Sequence, residues 1–472
     1  MNFILALIAI TYISICGFGL VKFILKDNIP FSIFGLVPLC FGAGLGALAI
    51  LGNIIMISGY KISFITAYVP LFVLFAYALK NCKTAQKVYS GDLLGAIKKI
   101  SWMEWLFIFI ILFGIISVFI MSIAFPLHFW DSRAIWGTKA KMLFYSGTIF
   151  SSDFMDINRI NAHFRYPLLF PISQATIYFV LGQADDWAVM LLIGLFFPLM
   201  IFFLYDLARI YLQDREKALM AAALLAVLPI FFRSEGPAYS GFADTPLAML
   251  FCLSFGAALL WKKSKDFRML LLCSFLSGIL LLTKNEGINL VALNLFLLAL
   301  PDKIIMNKRS ILDLIKIIAI YTAIVAIIAA PWFYLSHAIP FESDINDIFQ
   351  IKLSNIGSYI PRIMPVIMYS FKAFLGVQKN MLNQGFLWGG LWGLFIVTSL
   401  ASILMRFSSG IHLFLVVLLN FLLISAGYVL MQITPENFMI SNIFRIYLSI
   451  SPVISLQIVS TLKELESDKA AK

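Results

Sequence analysis

Residues 104–124 read EWLFIFIILFGIISVFIMSIA, and residues 125–147 continue as FPLHFWDSRAIWGTKAKMLFYSG. The first stretch is a run of about 20 apolar residues, the length a helix needs to cross roughly 30 Å of hydrocarbon. The second places Asp131, Arg133, Lys139 and Lys141 directly beside the bilayer, between Trp130 and Trp136. Tryptophan marks the headgroup level, and charge this close to hydrocarbon is costly enough to be a functional signal.

The same alternation of apolar run and polar break covers the chain. Hydrophobic residues make up 61% of 472 positions, 12% are charged, and the mean hydropathy is +0.96. Soluble domains use roughly 45–50% apolar residues, so the expected class is an all-α polytopic membrane protein. About thirteen spans are expected, near 1–22, 31–57, 62–79, 104–124, 184–208, 217–233, 243–261, 269–283, 288–300, 311–334, 385–405, 411–431 and 443–461. The first segment lacks a basic leader and a small-residue cleavage site and reads as a retained span. The net charge of +11 reads as cytoplasmic loops and anionic lipid rather than nucleic acid. Cys16, Cys40, Cys252 and Cys273 fall within spans and Cys82 in a Lys-rich loop, with no disulfide or metal spacing.

Lysine and arginine set the orientation. Lys22 and Lys26; Lys80, Lys83, Lys87, Lys98 and Lys99; Arg209, Arg215 and Lys217; Lys262, Lys263, Lys265 and Arg268; and Lys303, Lys308, Arg309 and Lys316 all fall on one side, with the Lys-bearing tail. That side is expected to be cytoplasmic, with the N-terminus outside and the C-terminus inside. The alternation holds only if 166–182 (YPLLFPISQATIYFVLG) does not cross; it and 360–376 (IPRIMPVIMYSFKAFLG) read as helices lying at the outer face. Two long outer excursions result, 125–183 and 335–384. The division expected is 1–103 as an N-terminal three-helix extension with a cytoplasmic loop, 104–334 as a membrane core, 335–384 as an outer loop, and 385–472 as C-terminal helices and tail. Outer cations, among them Arg133, Lys139, Lys141, Arg159, Arg165, Arg233, Lys284, Lys352, Arg362, Lys372, Lys379 and Arg445, oppose the inside bias and imply an anionic partner.

Five motifs at the outer face carry candidate chemistry, each with a plainer reading beside it. Asp131 is a lone acid or a helix N-cap; Lys139 lies eight residues on, on the same face at helical spacing. In NAHFRYPLLFP, His163, Arg165 and Tyr166 suit a phosphate or sugar hydroxyl, or anchor a Pro-started helix. In EGPAYSGFADTPLAMLF, Tyr239 and Asp244 lie outside a span, where Asp244 also reads as a cap before Pro246. In LLLTKNEGINL, a hairpin turn explains Asn285 and Gly287 but leaves Lys284 and Glu286 over. In NIFRIYLSISPVISL, Arg445 and Tyr447 stand at the mouth of the last span, where the arginine snorkels or meets a phosphate.

Taken in order, these motifs resemble the GT-C superfamily of membrane glycosyltransferases, in the bacterial branch related to protein O-mannosyltransferases and the lipid A aminoarabinose transferase. The resemblance covers about residues 104–460. It implies a catalytic acid opening the first outer loop at Asp131, a Tyr-Pro-Leu-like entry at 166–169, and a second acid at Asp244. It further implies a Thr-Lys turn at Thr283 and Lys284, and an Arg-Tyr-Leu…Pro pattern from Arg445 to Pro452. Three departures stand out: the first acid is followed by Ser132, the turn reads TKNEG, and Ile446 separates Arg445 from Tyr447.

The resemblance implies an inverting transfer of a sugar from a polyprenyl-phosphate donor to a glycan, lipid or protein acceptor at the outer face of the cytoplasmic (inner) membrane. Asp131 and Asp244 would be catalytic. Lys284, Arg445, Arg165 and Lys139 would bind the donor phosphate, and His163, Tyr166, Tyr239, Glu286 and Tyr447 the substrate. No cofactor is expected to be required; an Asp131–Asp244 metal site is the alternative. A flippase or transporter, or an O-antigen ligase or polymerase, are the rival readings. Charges at the outer rim and no internal repeat distinguish the enzyme from a transporter.

Overall fold

A computed structural model describes residues 1–81, 100–156, 158, 162–233, 236–301, 311–339, 356–375, 387–430 and 443–471. The outer cations Arg159, Lys352 and Lys379 and the loop cations Lys83, Lys87, Lys98, Lys99, Lys303, Lys308 and Arg309 lie outside the described residues.

Among the described residues the chain is helical, without strands. The N-terminal helices are α1 (Asn2–Leu25), α2 (Ile33–Ile57), α3 (Phe64–Tyr68) and α4 (Phe72–Lys80). The next are α5 (Trp102–Ala124), α6 (Thr138–Ser146), α7 (Leu169–Leu181), α8 (Val189–Leu212) and α9 (Arg215–Ala226). They are followed by α10 (Asp244–Ser264), α11 (Phe267–Thr283), α12 (Gly287–Ala299) and α13 (Ile311–His337). The last are α14 (Ile356–Leu375), α15 (Leu391–Met405), α16 (Ser408–Leu430) and α17 (Ser451–Ala471). Eight of the thirteen expected spans are helices long and apolar enough to cross a membrane. The other five are shorter, and one of them, 62–79, is divided between the 5 residues of α3 and the 9 of α4.

The N-terminal helices pack into the same core as the rest, α2 against α8 and both α1 and α2 against α7. Glycine permits the close approach of α1 to α2. A Cβ on Gly17 would stand 1.8 Å from the Cys40 carbonyl oxygen, and one on Gly44 2.1 Å from that of Ile13. Small residues that let backbones approach are the usual glue between helices in lipid.

Contacts between helix ends sort into two sets. At one end, Asn2 donates to Asp185 at 2.6 Å, Lys141 pairs with Asp186 at 2.7 Å, and the Ile62 amide reaches Gly147. At the other, Asn28 donates to Asp266 at 2.6 Å, Ser32 to Asp206 at 2.7 Å, and Arg215 grips Glu104 at 2.5 Å. Lys22, Arg209, Lys217, Lys262, Lys263, Arg268 and Lys463 bond within the second set. Among the described residues these lysines and arginines therefore share one end of the bundle, as their alternation along the chain requires.

Helix α7 begins and ends at the first end: Tyr166, just before it, feels the charges of Glu286 and Lys284, and Asp185, just after it, holds Asn2. It does not cross, but neither does it lie on a surface. Leu169–Tyr178 are buried, against α1, α2, α6 and α11. Its sequence carries no charge, and its polar residues Ser173, Gln174 and Thr176 are buried with the rest, which is the pattern of an enclosed helix rather than of an interfacial one. By contrast α14 is amphipathic, with Arg362 over the Tyr359 ring and Lys372 over that of Tyr369, while Phe371 and Phe374 pack on Phe421 of α16.

Candidate active site

Five of the charged residues singled out by sequence form one continuous chain at the first end. Glu286 Oε1 lies 2.9 Å from Lys284 Nζ, and Lys284 Nζ 2.9 Å from Asp244 Oδ1. Asp244 Oδ2 accepts from Arg445 at 2.9 Å, and Arg445 donates onward to Asp131 Oδ2 at 2.6 Å. The Arg445 guanidinium also lies over the Phe242 ring, 4.4 Å from its centre.

Local structure explains why each side chain points here. Thr283 ends α11, and Lys284 takes an extended conformation (φ −157°, ψ 153°) that turns it out of the helix. Gly287 then folds the chain back, since a Cβ there would sit 2.2 Å from the Leu280 carbonyl oxygen. At 17 and 13 residues, α11 and α12 are only about 25 and 20 Å long. Both are shorter than the roughly 30 Å of a hydrocarbon core, and the turn between them packs inside the bundle, where Thr283, Lys284 and Gly287 are buried. Lys284 and Asp244 are accordingly buried, 8% and 3% exposed at the side chain, whereas Asp131 keeps 20%. Burial opposes the charge on Lys284, but the Asp244 and Glu286 carboxylates outweigh it and hold its pKa above the ordinary lysine value.

The capping readings fail for both acids. Asp131 precedes a helical turn but makes no side-chain cap bond, and Asp244 is the first residue of α10 rather than its cap. Their carboxylates are committed to cations instead. A single guanidinium, with five donors in a rigid fork, joins the two carboxylates; among the described residues no group of three or more His, Cys, Asp or Glu is placed to hold a metal ion.

Lys139 is separated from this chain. Residues Ser132–Gly137 form a π-helix, whose wider turn breaks the four-residue spacing that put Asp131, Ile135 and Lys139 on one face. Lys139 is fully buried near the rings of Trp136 and Tyr166, and its ammonium donates to the carbonyls of His163 (3.2 Å) and Tyr166 (3.5 Å). Burial pushes its pKa well below the ordinary value. It braces the loop that carries His163 and Arg165. Tyr166 stacks on Trp136 with planes 10° apart, and His163 takes a left-handed backbone at φ +47°. Tyr239 donates its hydroxyl to Phe232, and Tyr447 is buried edge-on to Phe374 and Trp392. Neither meets the charge chain through a described contact.

Arg165 does reach it, across a cavity of about 350 Å³ lined by Arg165, Lys284, Asn285, Ile288, Trp332 and His337. Arg165 is oriented by a bond to the Ile339 carbonyl at 2.9 Å, and His337 Nδ1 lies 2.6 Å from the Phe333 carbonyl. Sequence reasoning passed over His337 and Asn285. The available signal was that His337 ends a span on the same side as Lys284. Ile288 and Phe333, also on the lining, are 61% and 47% exposed, so the cavity opens at the flank of the bundle between α12 and α13.

Residues 166–334 match the family model of the dolichyl-phosphate-mannose-protein mannosyltransferases. Over that segment the chain is similar to GT-C-type membrane glycosyltransferases. The matched segment contains Asp244, Lys284 and Glu286. Asp131 and Arg445 lie before and after it, and the ion pairs at 2.6 and 2.9 Å join them to it. No curated protein and no solved structure matches the chain.

Proposed function

We propose that this chain is a GT-C-type glycosyltransferase that moves a sugar from a polyprenyl-phosphate donor to a glycan, lipid or protein hydroxyl at the face of the membrane opposite the lysine-bearing end of the bundle. The observation that carries the reading is the Asp131–Arg445–Asp244–Lys284 chain, with the flank-opening cavity at its Lys284 end.

The donor phosphate enters that cavity, where Lys284, Arg165 and His337 supply cationic or N–H donors, and the polyprenyl tail leaves between Ile288 and Phe333 into lipid. The phosphate oxygens compete with Asp244 and Asp131 for Lys284 and Arg445, which loosens Arg445 from Asp131. Asp131, the more exposed acid, then takes the proton of the acceptor hydroxyl as general base. The acceptor oxygen bonds to the anomeric carbon as the bond from that carbon to phosphate oxygen breaks. The negative charge that grows on the leaving lipid phosphate meets cations already in place, where pre-set electrostatics lowers a barrier most. Direct displacement inverts the anomeric centre.

The positive-inside rule supports a charge-chain end that faces away from the cytoplasm, and with it a reaction at the outer face of the inner membrane. The charges also gather at one end of the bundle, which favours an enzyme over a transporter with a midplane site. Titration of the purified protein with polyprenyl phosphate, paired with mass spectrometry of envelope glycolipid, polysaccharide and protein with and without the gene, tests the reading. Saturable binding together with a lost sugar supports it; no binding and an unchanged glycan profile overturn it.

A further inference from the structure

The opposite end of the bundle holds a second cavity, of about 470 Å³, that the transfer reaction does not use. Leu212, Leu259 and Leu297 form its apolar part, and Lys262, Lys263 and Lys463 bring three ammonium groups to its lining. Ser408, Ser409, Ser460 and Ser467 add hydroxyls. We propose that this cavity is a binding site for the headgroup of an anionic phospholipid.

The lysines are held in place by helix C-termini. Lys263 donates to the carbonyls of Ile210 (3.0 Å) and Tyr211 (3.3 Å), and Lys463 to that of Leu212, all at the end of α8. Lys262 donates to the carbonyl of Leu300, just past α12, at 2.7 Å. Capping of this kind accounts for one or two of the three N–H donors of an ammonium. It leaves Lys263 and Lys463 with donors for a ligand. The one acid on the lining, Glu464, accepts from the backbone amides of Ser409 and Gly410 at the start of α16. His412 is held between the carbonyls of Ser408 and Pro301, at 2.6 and 2.7 Å. Three cations against one engaged carboxylate leave the cavity positive.

Position and shape select the ligand. Basic pockets between membrane helices on the cytoplasmic side are suited to phosphate-bearing lipid headgroups, and this is the end that also carries Lys22, Arg209, Lys217 and Arg268. The hydroxyls and ammonium groups fit a phosphodiester, and the leucines fit the glycerol and first methylenes of an acyl chain. A free phosphate shares the polar chemistry but has no use for the leucines.

The test measures the thermal midpoint of the purified protein during titration with short-chain phosphatidylglycerol, short-chain phosphatidylcholine or inorganic phosphate. A saturable rise with phosphatidylglycerol alone is expected. In the Lys263→Gln, Lys463→Gln double variant the apparent affinity should fall about ten- to thirtyfold, while Lys284→Ala, at the other end, leaves it unchanged. If the double variant unfolds early, Lys263→Gln alone should show about a fivefold loss. Equal shifts with both lipids, or unchanged affinity in the lysine variants, overturn the proposal. A full shift with inorganic phosphate also overturns it, by assigning the site to a free anion. No outcome depends on which sugar the other end transfers.

Discussion

Arg445 donates to Asp131 at 2.6 Å and to Asp244 at 2.9 Å, so one guanidinium holds together acids that the chain separates by most of the first outer loop and by helices α8 and α9. The resting site is therefore closed on itself. The cations proposed to meet the donor phosphate and the carboxylate proposed to take the acceptor proton occupy one another. On that proposal, binding of the donor and readiness of the base are a single event.

Asp131→Asn keeps the size of the side chain and one oxygen that can accept from Arg445, but an amide does not take a proton at neutral pH. Transfer should fall by about 100- to 10,000-fold with polyprenyl phosphate still bound, as measured by turnover and ligand titration on the same preparation. Because Asp131 makes no cap bond, its thermal midpoint should stay near that of the parent. Near-normal transfer would shift the role of base to Asp244.

Arg445→Lys retains a charge but loses the fork that spans two carboxylates. Donor affinity should drop roughly ten- to hundredfold, the worth of one or two charge-assisted hydrogen bonds. Lys284→Ala should do the same at a further cost in stability of about 3–5 kcal/mol, because it removes one partner of a buried pair. Unchanged affinity in Arg445→Lys would reduce Arg445 to a strut between the acids.

Lys139 gives a pH-dependent signature. Its folded pKa lies well below the 10.5 of an unfolded lysine, so between those values the unfolded chain binds the extra proton. Stability attributable to this residue should rise with pH across that window, up to about 10.5, and be lowest below it. Subtracting the midpoint-versus-pH curve of Lys139→Met from that of the parent isolates the slope. A flat difference would mean that Lys139 is no more desolvated in the folded protein than in the unfolded one.

Sidedness is open to labelling. With Cys82 replaced by serine the remaining cysteines, Cys16, Cys40, Cys252 and Cys273, are buried. Cysteine introduced at Ser151 should then react with an impermeant reagent in intact cells, and cysteine at Ser264 only after permeabilisation. The reverse pattern would place the charge chain on the cytoplasmic side.

Run length and charge count are local properties, which is why the sequence alone determined the membrane class, the order of the spans and the common side of Asp131, Asp244, Lys284 and Arg445. The same properties determined that 166–182 does not cross. What a charge is paired with depends on distances between helices far apart in the chain. Only the tertiary structure decided that Arg445 bridges Asp131 and Asp244, that Glu286 completes the chain through Lys284, and that His337 shares a cavity with Lys284. Lys139 marks the boundary most clearly. Helical spacing placed it beside Asp131, but six residues of π-helix changed the phase of the turn and packed it against Trp136 and Tyr166. A change of hydrogen-bond register leaves no mark on hydropathy or charge pattern, and it moves every side chain that follows.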